Sequence, residues 1–319
     1  MNYLVTGGAG FIGSHLIDAL LKDGHSVTNL DNFDPFYSRT IKEANQKGHL
    51  ADPNYSFVEC DITEKGSLDK IFRSAKFDMI IHLAAKAGVR PSIEDPIRYE
   101  QVNAIGTLKL LEKARELKIS KFIFASSSSV YGKNPNVPWK ESDQELMPIS
   151  PYAVSKISAE NYGMIYADLF KINFIALRFF TVFGPRQRPD LAIAKFFHLI
   201  YSGKPIPFFG DGTTSRDYTF IDDIIGGIKG AISKKVSSGK FEKYNLGNSR
   251  PVSLFELVNA IEQVVGKKAI LEKLPMQTGD VERTFASIEK AKNDLSYRPN
   301  TSLMQGLEKY NEWYKMNKK

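Results

Sequence analysis

Apolar positions fall in two registers along the first 180 residues. Short, nearly continuous apolar runs occur at Tyr3 to Thr6, His25 to Leu30, Tyr55 to Ile62, Asp78 to Ala85, Lys121 to Ser127 and Asn173 to Phe180. Runs without polar alternation are expected of strands covered on both faces. Between them apolar residues recur every three or four positions. That spacing predicts helices from Phe11 to about Leu21, Arg39 to Gln46, Glu64 to Ser74, Pro96 to Leu117 and Pro151 to Phe170. Strand and helix in strict alternation argue for an α/β chain with a doubly wound parallel sheet.

Beyond Phe180 the pattern loosens. Thr181 to Asp217 is rich in Pro and Gly, with one amphipathic helix near Leu191 to Ser202, and a last helix is expected from Leu303 to Lys315. We therefore expect a nucleotide-binding unit over 1–180, to which 217–248 partly returns. A smaller, interleaved α/β unit over 181–319 would cover the carboxyl edge of the sheet. Ligands of such sheets bind at that edge.

The turn after the first strand carries Gly7, Gly10 and Gly13, and a helix opens at once with Phe11 and Ile12. Glycines there permit a tight turn, close approach of a pyrophosphate, and close packing of helix on strand. The pyrophosphate would lie against the unpaired N–H groups of the helix start. Asp31 ends the second strand 18 residues after Gly13, near the spacing of a carboxylate that accepts ribose hydroxyls. Asn32, Phe33 and Asp34 follow, without Arg or Lys, so a 2′-phosphate would meet negative charge and NAD is favoured over NADP.

Composition narrows the classes. The chain is 42% hydrophobic and 25% charged, the balance of a globular domain, and no apolar run is long enough to span a bilayer. The first strand begins almost at residue 1, so no leader is expected; the single Cys60 fits a reducing compartment, and we expect a cytoplasmic protein. The net charge of +7 is dispersed rather than gathered in a basic stripe, which argues against nucleic acid. Five scattered histidines and one cysteine offer no metal-ligand spacing, and no metal is expected.

The chemistry is read from Tyr152 and Lys156, four residues apart on a helix that Ser150 caps and Pro151 opens. They share one face. A lysine ammonium at ~5 Å would stabilise a phenolate by about 3 kcal/mol, on the order of 2 pKa units. The preceding strand ends in Ser126, Ser127, Ser128 and Ser129, where a hydroxyl can hold a sugar hydroxyl and relay its proton. Dinucleotide turn, strand-end serines and Tyr/Lys pair together specify hydride transfer at an alcohol carbon.

Those motifs, with Asp61-Ile62, His82-Leu83-Ala84-Ala85, Asn103 and Ser215-Arg216-Asp217-Tyr218, resemble the extended short-chain dehydrogenases/reductases. More narrowly they resemble the nucleotide-sugar epimerases and dehydratases, along essentially the whole chain. The resemblance implies a Rossmann-type fold, a tightly held NAD and a UDP- or dTDP-sugar substrate. It implies Tyr152, Lys156 and Ser127 as catalytic residues. Gly7, Gly10, Phe11, Ile12, Gly13, Asp31, Asn32, Asp61, Ile62, Leu83, Ala84, Ala85, Asn103, Ser126 and Phe179 would line the cofactor. Arg216 would meet the pyrophosphate, Gln277 and Asp280 the UDP ribose. A homodimer through helices near 97–117 and 151–170 is implied as well.

Within that family, dehydratases carry an Asp-Glu pair where this chain has Ser128 and Ser129, and UDP-galactose epimerases carry Asn where this chain has Thr181. Ala87-Gly-Val-Arg90, Ser127 to Ser129, the run from Thr181 through Arg188 to Ala192, and Met276 to Val281 resemble the UDP-glucuronate 4-epimerase branch. A uronate carboxylate in a water-poor site needs donors and a cation. Ser128, Ser129 and Thr181 supply the first; Arg188, able to pair in bidentate fashion, and Arg90 are candidates for the second. A UDP-glucuronate decarboxylase, a plain glucose/galactose epimerase, and a non-enzymatic NAD-sensing protein are the alternatives.

Overall fold

A computed structural model of the chain describes residues 1–276 and 280–317. Among these residues seven strands form one sheet: β1 (Asn2–Thr6), β2 (Ser26–Asp31), β3 (Tyr55–Glu59), β4 (Met79–His82), β5 (Lys121–Ser127), β6 (Asn173–Phe179) and β10 (Phe241–Leu246). The remaining strands are β7 (Thr181–Phe183), β8 (Ile206–Phe209), β9 (Ser215–Phe220), β11 (Pro251–Ser253) and β12 (Leu271–Leu274). The large sheet runs in the order β10-β6-β5-β4-β1-β2-β3, and every pair in it is parallel.

Side chains alternate across each strand. Leu4, Ile80, Phe122 and Phe174 point into one core; their neighbours Val5, Ile81, Ile123 and Ile175 point into the other. Both faces are therefore apolar, which is why the strands read as unbroken runs. On the first face lie α3 (Ser67–Ser74), α6 (Gly106–Glu116) and α7 (Pro151–Phe170), through Leu68, Leu110 and Ala159. On the second lie α1 (Phe11–Lys22) and α9 (Ile221–Ser233), through Leu16, Ile17 and Ile224. That second core continues without a break into Phe183, Phe197, Ile206 and Tyr310 of the C-terminal half.

The sheet order reverses between β1 and β4, and a ligand crevice forms outside the carboxyl ends of the strands at such a point. α2 (Arg39–Gln46) and α4 (Val89–Glu94) reach it through Lys42 and Val89, and α5 (Pro96–Glu100) and α8 (Ala192–Tyr201) are further helices of the chain. α10 (Leu254–Val265), α11 (Glu289–Leu295) and α12 (Leu303–Asn317) complete the chain. Two small sheets, β11-β9-β7 and β12-β8, lie in the C-terminal half.

Some expectations shift. The third strand stops at Glu59 rather than Ile62, because Asp61 turns back on itself, its Oδ1 accepting from the Thr63 amide at 2.8 Å and from the Thr63 hydroxyl. The helix expected over Pro96 to Leu117 contains a π turn at Gln101–Ile105, between α5 and α6. Such a turn re-aims side chains and often marks a functional segment. It carries Asn103.

Candidate functional site

Every strand of the crevice delivers its residues at the carboxyl end. An open cavity of about 480 Å³ is lined by Gly7, Gly10, Phe11, Ile12 and Gly13 after β1, Asp31 and Asn32 at β2, and Asp61 and Ile62 after β3. Leu83, Ala84 and Ala85 follow β4, Ser126 to Ser129 follow β5, and Phe179 and Thr181 follow β6. Tyr152 and Lys156 enter from α7, Arg188 from the loop before α8. The size suits a small-molecule site.

The glycine turn is built for close approach. Gly7 has φ +73°, and a Cβ there would sit 2.6 Å from the Ala84 nitrogen. Gly10 precedes α1 in extended conformation, and no side chain caps the helix. Its first N–H groups are thus left for an anion, which the macrodipole also favours. The Asp31 carboxylate takes the Ala9 amide at 3.1 Å on Oδ2 and the Phe33 amide at 2.9 Å on Oδ1. Burial pushes its pKa up, opposed by Lys42 and these amides. The turn fits a dinucleotide, and Asp31 retains acceptor capacity for ribose hydroxyls.

Four of the residues expected at the cofactor also have partners within the protein. Asn103 does not line the cavity: its amide clamps the Lys86 backbone (2.8 and 2.9 Å) and donates to the Ser155 hydroxyl at 3.0 Å. It holds the chain after β4. The Ser126 hydroxyl is committed to Glu160 at 2.5 Å. Asn32 and Asp61 bind each other at 3.1 Å, and Arg98 takes the same Asp61 oxygen at 3.0 Å.

Sequence reading missed Lys42 and Lys86. Lys42, from α2, is buried beside Asp31 and donates to the Asp34 carbonyl at 2.7 Å; Lys86 faces the Asp34 carboxylate at 3.4 Å. Neither follows Asp31 directly in sequence, and no local signal links them to it.

Lys156 is buried, with Nζ 2.7 Å from the Ala125 carbonyl and 5.9 Å from the centre of the Tyr152 ring. Burial pulls its pKa down to about 7, against the pull of Glu160. The Tyr152 pKa is raised, not lowered as the Tyr/Lys spacing alone implied. Burial raises the phenol, and the opposing influences are a hydrogen bond from Ser127 and the charge of Arg188. The ammonium is drawn instead to the backbone carbonyl. Ser127 itself accepts the Ser129 amide at 3.2 Å and bonds the Ser129 hydroxyl at 3.1 Å. Tyr99 packs edge-on against Tyr152, with ring centres 6.2 Å apart.

Ser128, Ser129 and Thr181 line this cavity and also a smaller neighbouring one of about 130 Å³, which Trp139, Arg216 and Asp280 share. The two meet at these hydroxyls. Arg188 stands in the larger cavity, but its Nε and Nη2 grip Asp190 at 2.9 and 2.7 Å. The bidentate edge expected to face a substrate is therefore occupied by a neighbour in sequence. Arg90 lies elsewhere: its Nη2 meets Asp280 at 3.0 Å and its guanidinium covers the Phe209 ring. Arg216 approaches the other Asp280 oxygen at 4.0 Å. Arg90 thus stands with Arg216 at Asp280 and does not line the larger cavity with Arg188. Asp280 holds two arginines, and Gln277 lies outside the described residues.

Comparison with known proteins gives the family. A family model described as GDP-mannose 4,6 dehydratase matches residues 4–310. A UDP-glucuronate 4-epimerase of Thermodesulfobacterium geofontis is 40% identical over 317 residues, covering 99% of this chain and 96% of that protein. A probable UDP-glucuronate 4-epimerase of Rhizobium meliloti is 37% identical, covering 99% and 98%. The crystal structure of UDP-glucuronic acid 4-epimerase from Bacillus cereus, with UDP-glucuronic acid and NAD, is similar at a TM-score of 0.93 and 38% identity, covering 99% of each chain. The chain belongs to the GDP-mannose 4,6-dehydratase family, the nucleotide-sugar epimerases and dehydratases among the extended short-chain dehydrogenases/reductases.

Proposed function

We propose that the protein is an NAD-dependent isomerase that inverts C4 of a UDP-sugar, interconverting UDP-glucuronate and UDP-galacturonate. The observation that carries the choice of sugar is the meeting of Ser128, Ser129, Thr181 and Arg188 in one cavity with Tyr152. Hydroxyl donors and a cation beside the reacting site suit a carboxylate on the neighbouring C5. The family model bears a dehydratase description, but Ser128 and Ser129 provide no second acid/base pair for removing water.

Bound NAD supplies a hydride acceptor and donor. Tyr152 takes the proton of the C4 hydroxyl and returns it after the 4-keto sugar has turned in the site. Ser127 bridges that hydroxyl and the phenol. Lys156, anchored on the Ala125 carbonyl, keeps positive charge near the phenolate. Arg216, with Arg90 beside it, attracts the diphosphate. A 4-keto uronate is a β-keto acid and loses CO2 when its carboxylate turns out of the carbonyl plane. Donors on that carboxylate hold it away from this geometry, which separates epimerase from decarboxylase.

Incubation with UDP-glucuronate and chromatographic separation of the products tests the reading. UDP-galacturonate is expected. A UDP-pentose would make the enzyme a decarboxylase, and turnover of UDP-glucose alone would remove the carboxylate reading. In the same assay Arg188→Gln should raise the KM for UDP-glucuronate roughly 10- to 100-fold, the worth of a lost charged hydrogen bond of about 1.5–3 kcal/mol. UDP-glucose, if accepted, should change far less. Equal losses for both sugars would count against Arg188 as the carboxylate's partner.

The unit division at about residue 180, with 217–248 partly returning to the nucleotide-binding half, belongs to the same reading. So does a homodimer. Ile97 and Ile105 near α5, and Val154, Ile165 and Leu169 on α7, are exposed apolar residues on neighbouring helices, with Ile97 71% and Leu169 63% exposed. A second copy would cover them; sedimentation at monomer mass would refute this. No helix among the described residues is long and apolar enough to cross a membrane. With its lone Cys60 the chain suits the cytoplasm, and fractionation of the source cells would test that.

A further inference from the structure

Below the Tyr152–Lys156 pair lies a buried ionic cluster to which the mechanism assigns nothing. Glu160 follows Lys156 by four residues on α7, so the two share a face one turn apart. Its Oε1 accepts the Ser126 hydroxyl and Arg178 Nε at 2.9 Å, and its Oε2 accepts Arg178 Nη2 at 2.7 Å. Arg178 is fully buried on β6, and Ser126 follows Ala125, whose carbonyl holds the Lys156 ammonium. One carboxylate thus binds α7, β5 and β6 together at the residues that seat Lys156.

Buried ion pairs rarely stabilise a fold more than apolar residues of the same volume would. Arg178 Nη1 has no hydrogen-bond partner among the described residues; its guanidinium lies over the Tyr131 ring instead. Packing alone gives no reason for this pair. The charges give one. Without Glu160, no carboxylate would oppose the cost of burying the Lys156 charge, and Arg178 would lose the partner of its Nε and Nη2.

We infer that Glu160 is a positioning residue for the reaction: it holds the Lys156 ammonium charged and seated on the Ala125 carbonyl. The groups facing Lys156 are Tyr152 and Glu160 from its own helix, the Phe124 ring of β5 and His82 of β4. His82 offers no negative charge: burial and the Lys156 charge bring its pKa down to about 3, and Thr6 and Thr107 hold its two nitrogens. Around Glu160 and Arg178 stand Lys243 of β10, Glu141 and Tyr131. Glu160 is the carboxylate that opposes deprotonation of Lys156.

The inference rests on the roles given to Tyr152 and Lys156 and is tested separately from them. The measurement is the pH profile of kcat for the NAD-loaded enzyme between pH 6 and 10. Glu160→Gln keeps the shape and a hydrogen bond but removes the charge. Its activity should fall away at a pH lower by about one unit or more than in the wild type, the effect of a nearby opposite charge on a pKa. Glu160→Asp, which restores the charge, should return the alkaline limb toward the wild-type position even if kcat is lower. A purely structural role would lower kcat equally at every pH. An unmoved limb in Glu160→Gln, or equal limbs in the Gln and Asp variants, overturns the inference. Should Glu160→Gln fail to fold, Glu160→Gln with Arg178→Met removes both buried charges, and a smaller shift in the same direction is required. If Tyr152→Phe retains activity, the underlying assignment fails instead, whatever Glu160 does.

Discussion

Tyr152→Phe abolishes turnover and leaves NAD in place: this is the expected result for the group assigned as acid and base. The substitution removes one oxygen and keeps the ring that packs edge-on against Tyr99. The fold and the cofactor cleft should therefore be undisturbed. A positioned general acid/base contributes typically about 10²–10⁴-fold to a rate. Epimerisation should fall by at least about 10³-fold, because the phenol must act in both halves of the cycle. NAD content is read by absorbance after denaturing the protein, and activity by the product separation described above. Retained activity would remove Tyr152 from its role. The same measurement tests another expectation. Each cycle ends with the cofactor as it began, so NAD should copurify and leave only on denaturation. A requirement for stoichiometric added NAD would contradict a recycled cofactor.

The second large effect is expected at Gly7. An alanine there must adopt a left-handed backbone, which costs roughly 1–2 kcal/mol for an L-residue. Its Cβ would also meet the Ala84 nitrogen at 2.6 Å, the Ala84 Cα at 2.8 Å and the Leu83 carbonyl carbon at 2.9 Å. Those atoms are backbone at the end of β4, the strand beside β1 at the reversal point of the sheet. They cannot move aside without opening the crevice. Gly7→Ala should lose bound NAD and unfold at a clearly lower temperature. Gly24→Ala is the control: its φ of +76° is equally left-handed, but a Cβ there has nothing within 4 Å. It should pay only the conformational cost and keep NAD. If both variants retain the cofactor and melt together, close packing at Gly7 is not what shapes the turn.

Much of the fold was legible in the chain because its causes are local. Unbroken apolar runs gave the buried parallel strands, and the pairing of Leu4 with one core and Val5 with the other explains why those runs lack alternation. Ser150 and Pro151 marked the start of α7, where the Ser150 hydroxyl accepts the Ala153 amide at 3.2 Å. The four-residue spacing of Tyr152 and Lys156 survives because a helix imposes it. Helix α2 falls at Arg39–Gln46, where a short helix was expected within the polar stretch after β2.

The site was less legible, and for one reason. Which groups a charged or amide side chain satisfies depends on what packing brings near it. Asn103 could be named from a motif, yet the π turn aims it at the Lys86 backbone rather than into the cavity. Arg90 and Asp280 are far apart in sequence and 3.0 Å apart in the fold. Arg188 reached the cavity as its motif implied, but Asp190 holds the edge of its guanidinium. The Tyr/Lys pair was legible as a spacing; its electrostatics were not, since the Ala125 carbonyl that draws Lys156 is on another element.

By itself, then, the sequence determined what short-range sterics and periodicity control: the strands, the glycine turn, the helix that carries Tyr152 and Lys156, and the serines before it. Only the tertiary structure decided the partners of Lys156, Glu160, Arg178, Arg188 and Arg90. Backbone sterics act between near neighbours in the chain, whereas buried polar groups must be satisfied by whatever the folded core sets beside them.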